Sequence, residues 1–322
     1  MWRDWLLRAA QVIGSLLGAL VLASLLATLS QPTHGFWPLL SVFCAKFMAA
    51  LEGDFGRSAV TGARSMAAAV AAFPATLQLL TVGAVIALVI GIPLGIVLSA
   101  SRALRAAAPL IEIIAAMPVF VAALALIWIA VRVLHWSDAS QTSALSWTAL
   151  VRSGGWNAAW QTFALPALTV GAAGAASVQL SLRRAAVRAW SAPYRNGLRM
   201  MGLGTLDIDL RYAVPEVIAR LLRDVGEIAL ALISATAVAE GVFHRDGAAV
   251  LFLKSAAFGD WNVAAAVLFL FAIIKLVAEF LGLAASWLVA PDEGEAGALS
   301  KGAGPNPACG RQSAPWAWQV WD

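Results

Sequence analysis

Apolar residues in this chain run together instead of recurring on one face of short segments. Six charge-poor runs of about twenty residues or more follow one another, at 9–29, 76–100, 110–131, 162–182, 225–243 and 261–290. A bilayer core of about 30 Å takes about 20 apolar residues per helix, so each run predicts one membrane span. Between Arg105 and Arg132 the only charge is Glu112, and between Arg152 and Arg183 there is none. Pro93 and Pro118 fall inside runs, which a membrane helix tolerates when neighbouring helices satisfy the freed carbonyls. The first run, behind Arg3 and Arg8, is long for a secretory signal and has no clear cleavage site, so it reads as a retained anchor. The segments 31–73 and 132–161 are long enough to hold short helices of their own.

Composition agrees with the pattern. Of 322 residues, 61% are hydrophobic and 12% charged, against about 25% charged in a soluble domain. A soluble fold, a disordered chain, a coiled coil and a disulfide framework are all excluded. The net charge of +4 matters less than where the cations sit. Six spans put both termini on one side. That side carries fourteen Lys and Arg, the other seven, and Lys275 lies within the last run. The excess marks the termini and the 183–224 loop as cytoplasmic. The tail 291–322, rich in Gly, Pro and Ala, reads as disordered. The expected organisation is therefore 1–73, an anchor helix and outer segment; 74–290, a membrane core containing the loop 183–224; and 291–322, the tail.

Catalytic chemistry is not evident. There is no phosphate-cradling G-x-x-x-x-G-K-[ST] loop and no dinucleotide fingerprint, and His34, His135 and His244 are scattered. No catalytic, cofactor or metal site is expected, and no nucleic-acid partner, since the cations punctuate apolar runs instead of forming a patch. Cys44 and Cys309 fall on opposite sides of the predicted membrane. Lys275 and Glu279, four apart, can pair on one helix face. They would line a polar path, or clamp helices together. Gln78 and Gln179 would face a pore or bond between helices. Glu240 stands at the outer end of its run, where it could border the path or a docking face.

The 183–224 loop is the most informative segment. By composition it is a basic loop that would set topology and attract anionic lipid. Its pattern is more specific. Ser191-Ala192-Pro193 breaks a basic stretch, a short helix is predicted over 194–201 with Pro193 at its start, and Gly202 and Gly204 end it. Tyr194-Arg195-Asn196-Gly197-Leu198-Arg199-Met200-Met201-Gly202-Leu203, followed by Leu210-Arg211, resembles the cytoplasmic "EAA" loop of ATP-binding-cassette importer permeases. In the peptide branch that loop reads roughly Y-x-x-T-A-R-A-K-G-L, then L-x-H-A. Leu198 and Met201 stand where alanine and lysine are usual.

The resemblance continues along the chain. Gly53-Asp54-Phe55-Gly56-Arg57-Ser58 is similar to the G-D-[LF]-G-x-S element of dipeptide, oligopeptide and nickel permeases. Phe73-Pro74-Ala75-Thr76-Leu77-Gln78-Leu79 resembles L-P-x-T-L-x-L, and Gly91-Ile92-Pro93-Leu94-Gly95 resembles G-I-P-L-G. Pro118-Val119-Phe120, Leu165-Pro166-Ala167-Leu168 and Glu240-Gly241-Val242-Phe243 match further family elements in order. After Phe243 the usual W-P-G-x-G is replaced by His244-Arg245-Asp246-Gly247. The usual N-L-x-x-D near the end of the last span is replaced by Lys275-Leu276-Val277-Ala278-Glu279.

The resemblance implies an all-α integral membrane protein with six transmembrane helices of the type I importer permease fold, in the bacterial inner membrane. It implies half of a translocation path for a small polar solute, a di- or oligopeptide, moved by alternating access. Tyr194, Arg195, Arg199, Gly202, Leu203 and Arg211 would couple to the ATPase, and Gln78, Glu240 and Glu279 would border the path or an outer docking face. The implied partners are a second homologous permease, two ATP-binding subunits, a soluble substrate-binding protein and membrane lipid. Nickel or a metal chelate is the alternative cargo. An ion-coupled carrier or a structural membrane subunit is the alternative from another class, for which inverted repeats would be expected and none is visible.

Overall fold

The computed structural model describes residues 2–28, 36–100, 117–133, 135 and 147–289, with only the backbone of 2–13, 16, 36, 100 and 147–162. Its helices are α1 (Trp2–Thr28), α2 (Phe36–Leu51), α3 (Ser65–Ala100), α4 (Val119–Arg132), α5 (Trp147–Trp190), α6 (Tyr194–Met200), α7 (Thr205–Ile208), α8 (Val214–Arg223), α9 (Val225–Val242), α10 (Ala248–Ala257) and α11 (Trp261–Val289). A π-turn, Asp209–Ala213, joins α7 to α8. Among the described residues the only β pairing is an isolated bridge between Arg57 and Arg64. The fold is all-α, as expected.

Among the described residues four helical stretches are long and apolar enough to cross a bilayer: Ser65–Ser99, Phe163–Trp190, Val225–Val242 and Trp261–Val289. They match four of the six expected runs, with α3 and α5 extending well beyond theirs. The predicted run 110–131 differs. Pro118 is not inside a helix; it precedes α4 with φ −55° and ψ 134°, leaving a helix of 14 residues. Proline lacks the N–H that a helix interior needs, but the helix start leaves that donor unpaired anyway. Residues 110–116 with Glu112, most of the segment before α5 and the tail 291–322 lie outside the described residues. The expected short helix in 31–73 is present as α2.

Close approach of α3 and α5 builds the centre. Gly83, Ala87, Gly91 and Gly95 recur every four residues on one face of α3. A Cβ on Gly83 would come within 2.4 Å of the Val170 side chain, and one on Gly91 within 2.8 Å of Val178. From the other side, a Cβ on Gly171 would meet Ile86 at 2.4 Å. Lipid-embedded helices gain little from hydrophobicity when they associate. Dispersion contacts at small residues therefore decide the pairing. Leu79, Phe163, Val170, Val178, Leu232 and Phe243 fill the surrounding core. A second core joins α1, the 55–73 segment and α11, with Phe55 against Phe269 and Phe73 against Phe271.

The Gly53–Ser58 motif makes the second core possible. Gly53 and Gly56 take φ of +79° and +76°, and Asp54 Oδ1 accepts the Gly56 N–H at 2.8 Å. This tight turn points Phe55 inward. Ser58 donates its hydroxyl to Asp260, ahead of α11, and Asn262 donates to the Arg57 carbonyl at 2.9 Å. The motif thus ties the segment before α3 to the start of α11.

Candidate functional site: the basic loop and the buried acids

The loop from α5 to α9 folds into a compact knob. The helix α6 ends where glycine was expected to end it. Gly202 has φ +86°, its N–H donates to Arg199 O at 3.0 Å, and the Leu203 N–H donates to Leu198 O at 3.2 Å. This is a Schellman cap, in which only glycine takes the left-handed position at no steric cost. A Cβ on Gly202 would meet nothing within 4 Å, so the surface there is open.

Three side-chain contacts hold the knob from within. Arg195, 8% exposed, pairs with Asp209 of the π-turn at 2.5 Å. The Tyr194 hydroxyl donates to Glu216 Oε2 at 2.9 Å, and Arg220 donates to Glu216 Oε1 at 2.8 Å, tying α6 to α8. Partial burial, and then the Glu216 carboxylate, push the Tyr194 phenol up to about 12, so it stays a donor at neutral pH. Ile208 and Ala213 are fully buried beneath.

The outer surface of the knob carries large exposed apolar side chains. Met200 and Met201 are 86% and 78% exposed, and Leu206 and Leu210 are exposed beside them. Arg199 and Arg211 are exposed as well, Arg211 with Asp207 at 3.9 Å. Exposed apolar side chains on a charged loop, outside any span, form the kind of patch found at interaction sites. Methionine suits such a surface because its unbranched chain adapts to an irregular groove.

The expected coupling residues therefore divide into two groups. Arg199, Gly202 and Arg211 lie at the knob's surface, with Leu203 half-buried behind them. Arg195 does not present its charge outward, since its guanidinium is spent on Asp209; it is an internal clamp. Tyr194 is 37% exposed but is tethered through its hydroxyl. Sequence reading missed Asp209 and the apolar surface. It also missed the Glu216–Arg220 pair, whose i,i+4 spacing was the available signal.

Gln78, Glu240 and Glu279 are not brought together. Glu279 pairs with Lys275 on α11, as the spacing predicted, and packs against Gly226 in the first turn of α9. Glu240 lies fourteen residues further along α9, about 20 Å away at 1.5 Å per residue. Gln78 is half-buried on α3. Glu240, expected at the outer end of its run to border the path or a docking face, lies at the end of α9 and is enclosed within this chain. Glu240 is 1% exposed and accepts the Thr76 hydroxyl at 2.6 Å and the Ala249 and Val250 amides at 2.9 and 3.3 Å.

Those amides are orphan donors at the start of α10, which an N-terminal acid satisfies. Thr76 Oγ1 in turn accepts the Ala248 N–H at 2.7 Å. Gly247 is required by space: a Cβ there would lie 2.2 Å from the Glu240 carboxylate. His244, with φ 51°, caps α9, and the Arg245 N–H donates to Glu240 O at 2.9 Å. The buried Arg245 guanidinium stacks 4.8 Å over Phe163, and burial lowers its pKa from the usual arginine value. The His244–Gly247 segment, where the sequence leaves the family pattern, thus builds a latch between α3, α9 and α10.

Comparison with known proteins agrees with this architecture. No curated protein matches the chain. The model of the family described as binding-protein-dependent transport system inner membrane components matches residues 83–289, which takes in α5, the knob, the latch and α11. With well over half its length matched, the chain belongs to that family: it is a multi-pass inner-membrane permease component of an ATP-binding-cassette importer, with an all-α architecture consistent with the type I permease fold.

Proposed function

We propose that the chain forms half of a path that carries di- or oligopeptides into the cytoplasm, with the knob facing the cytoplasm. A second, homologous permease completes the path, two ATP-binding subunits drive it, and a soluble binding protein delivers the peptide. The observation that carries the reading is the exposed apolar surface of Met200, Met201, Leu206 and Leu210, held rigid from inside. A knob that is stiff in its own fold and adaptable at its surface transmits a displacement. Closure of the ATP-binding subunits would push α6. The Arg195–Asp209 pair and the Tyr194–Glu216–Arg220 chain would pass that push to α8 and α9, reopening the spans toward the other side. Arg199, Gly202 and Arg211 would make the contact itself. The peptide assignment is supported by the sequence elements Gly53–Ser58, Phe73–Leu79 and Gly91–Gly95.

The test expresses the chain with its partner subunits in cells lacking other peptide importers and measures uptake of a labelled dipeptide and of radioactive nickel. Peptide uptake that requires ATP, together with crosslinking of Met200→Cys to an ATP-binding subunit, is the expected result. Nickel uptake without peptide uptake would reassign the cargo within the family. Absence of crosslinking in an active complex would refute the coupling role of the knob. Orientation is checked in a cysteine-free background. A cysteine at Val60 should label from outside and one at Thr205 only after permeabilisation; the reverse would invert the topology.

A further inference from the structure

Behind the knob, the ends of α5 and α8 build a second feature. The last turns of α5 present Ser181, Arg184 and Arg188 on one face, and α8 sets Arg220, Arg223 and the following Asp224 opposite them. Together they line a half-open cavity of about 140 Å³. The Ser181 hydroxyl donates to Asp224 Oδ2, joining the two walls. Arg220 is steadied by Glu216, and Arg223 Nε donates to the Ala219 carbonyl at 3.2 Å. Both α8 arginines are thus held in place. Among the described residues Arg184 and Arg188 have no carboxylate within ion-pair distance. With Asp224 in the lining and Glu216 on Arg220, the cationic wall is the one made by Arg184 and Arg188.

Depth selects the ligand class. The uncharged run of α5 ends at Leu182, ahead of Arg183, Arg184 and Arg188 in its last two turns, which places the cavity where a bilayer's hydrocarbon gives way to headgroups. Guanidinium forks match the oxygens of a phosphate, often two at a time. Basic pockets between membrane helices at this level suit anionic lipid headgroups. We propose that this cavity is a binding site for a phosphate oxyanion, supplied by the headgroup of an anionic phospholipid, with Arg184 and Arg188 as its ligands and Arg220 and Arg223 as its back wall. The site is independent of which solute is carried.

The experiment uses the full chain in mixed micelles or nanodiscs. Native mass spectrometry counts retained phosphatidylglycerol against phosphatidylcholine, with inorganic phosphate in a separate arm. The chain should retain phosphatidylglycerol selectively. In R184Q/R188Q the retention should fall at least about tenfold, as expected for losing two charge-assisted contacts. R199Q/R211Q, with the same charge loss on the exposed knob, should retain the lipid normally. R184K/R188K should recover part of it. Folded state is checked by circular dichroism and size exclusion. Saturable inorganic phosphate binding, abolished in R184Q/R188Q and without any lipid preference, would support the oxyanion site and move its source from lipid to free anion. Equal lipid retention in R184Q/R188Q and the parent chain, or equal loss in R199Q/R211Q, would overturn the proposal.

Discussion

Thr76→Val tests the Glu240 latch with almost no change of shape. Valine fills the threonine volume, so packing between α3 and α10 is kept. What disappears is a hydroxyl that donates to Glu240 at 2.6 Å and accepts from Ala248 at 2.7 Å. Interhelical hydrogen bonds in membranes average only about 0.6 kcal/mol, because the separated helices find other partners. Two features raise the figure here. Glu240 is buried with its carboxylate engaged, and the Ala248 amide is left with no acceptor. Orphaning a buried polar group costs about 1–3 kcal/mol. Glu240 keeps the Ala249 and Val250 amides, so one orphaned amide plus one lost interhelical bond predict destabilisation by about 2–4 kcal/mol. Thr76→Ser should recover most of it, since the hydroxyl returns. The assay is reversible unfolding of the purified chain in detergent, followed by tryptophan fluorescence. A change below about 0.5 kcal/mol for Thr76→Val would refute the latch, as would equal losses in Thr76→Ser and Thr76→Val.

Gly247→Ala should be worse than an ordinary surface Gly→Ala, because its Cβ would lie 2.2 Å from the Glu240 carboxylate; lowered unfolding stability checks it. Gly83→Ala should cost about 1–3 kcal/mol by overpacking against Val170, read as loss of monodisperse protein on heating. Gly202→Asp should leave the chain folded, since nothing crowds that position, at about 1–2 kcal/mol of left-handed strain. It should abolish ATP-dependent uptake, whereas Arg199→Ala should be milder, because an exposed charge contributes little. Tyr194 and Tyr212 are the only tyrosines. In Tyr212→Phe the tyrosinate absorbance should therefore titrate near about 12 instead of 10. The folded chain holds that proton more tightly than the unfolded one. The stabilisation it brings is thus full below pH 10 and is lost as pH rises from about 10 to 12.

Long apolar runs made most of the fold legible, since a bilayer demands length and lack of charge and little else. The small-residue series Gly83, Ala87, Gly91, Gly95 was also present in the sequence as a packing face. Its partner was not, because Val170 and Val178 carry no mark that distinguishes them from lipid-facing valines. The break at Pro118 was misread for a related reason. Proline inside an apolar run is compatible with a kinked span and with a helix start, and only neighbouring packing decides. In the loop, Gly202 was readable because a left-handed cap admits few residue types. Arg195 was not, because its partner Asp209 lies fourteen residues away across two turns. Glu240 was placed correctly at a span end. Its burial depends on α10 folding back over it, which Gly247 permits and no local pattern announces.

The same contacts suggest how the knob and the spans form one mechanical unit. The helices α8 and α9 are separated by a single residue, Asp224, which receives the Ser181 hydroxyl from α5. Beyond that point α5 is fixed to α3 by glycine contacts too close to slide, because side chains such as Val170 and Ile86 sit in notches that a shift would close. A push on α6 therefore meets two routes: through Glu216 and Arg220 into α8 and α9, and through Asp224 into the α3–α5 pair. At the far end Thr76 and Glu240 join α3 to α9 and cap α10. Held at both ends, α9 can rotate with the α3–α5 pair but cannot easily move past it. An alternating motion would then carry this group as a body against whatever packs on its open side. Weakening the latch by Thr76→Val should uncouple the ends, so that ATP hydrolysis in the assembled complex persists while uptake falls.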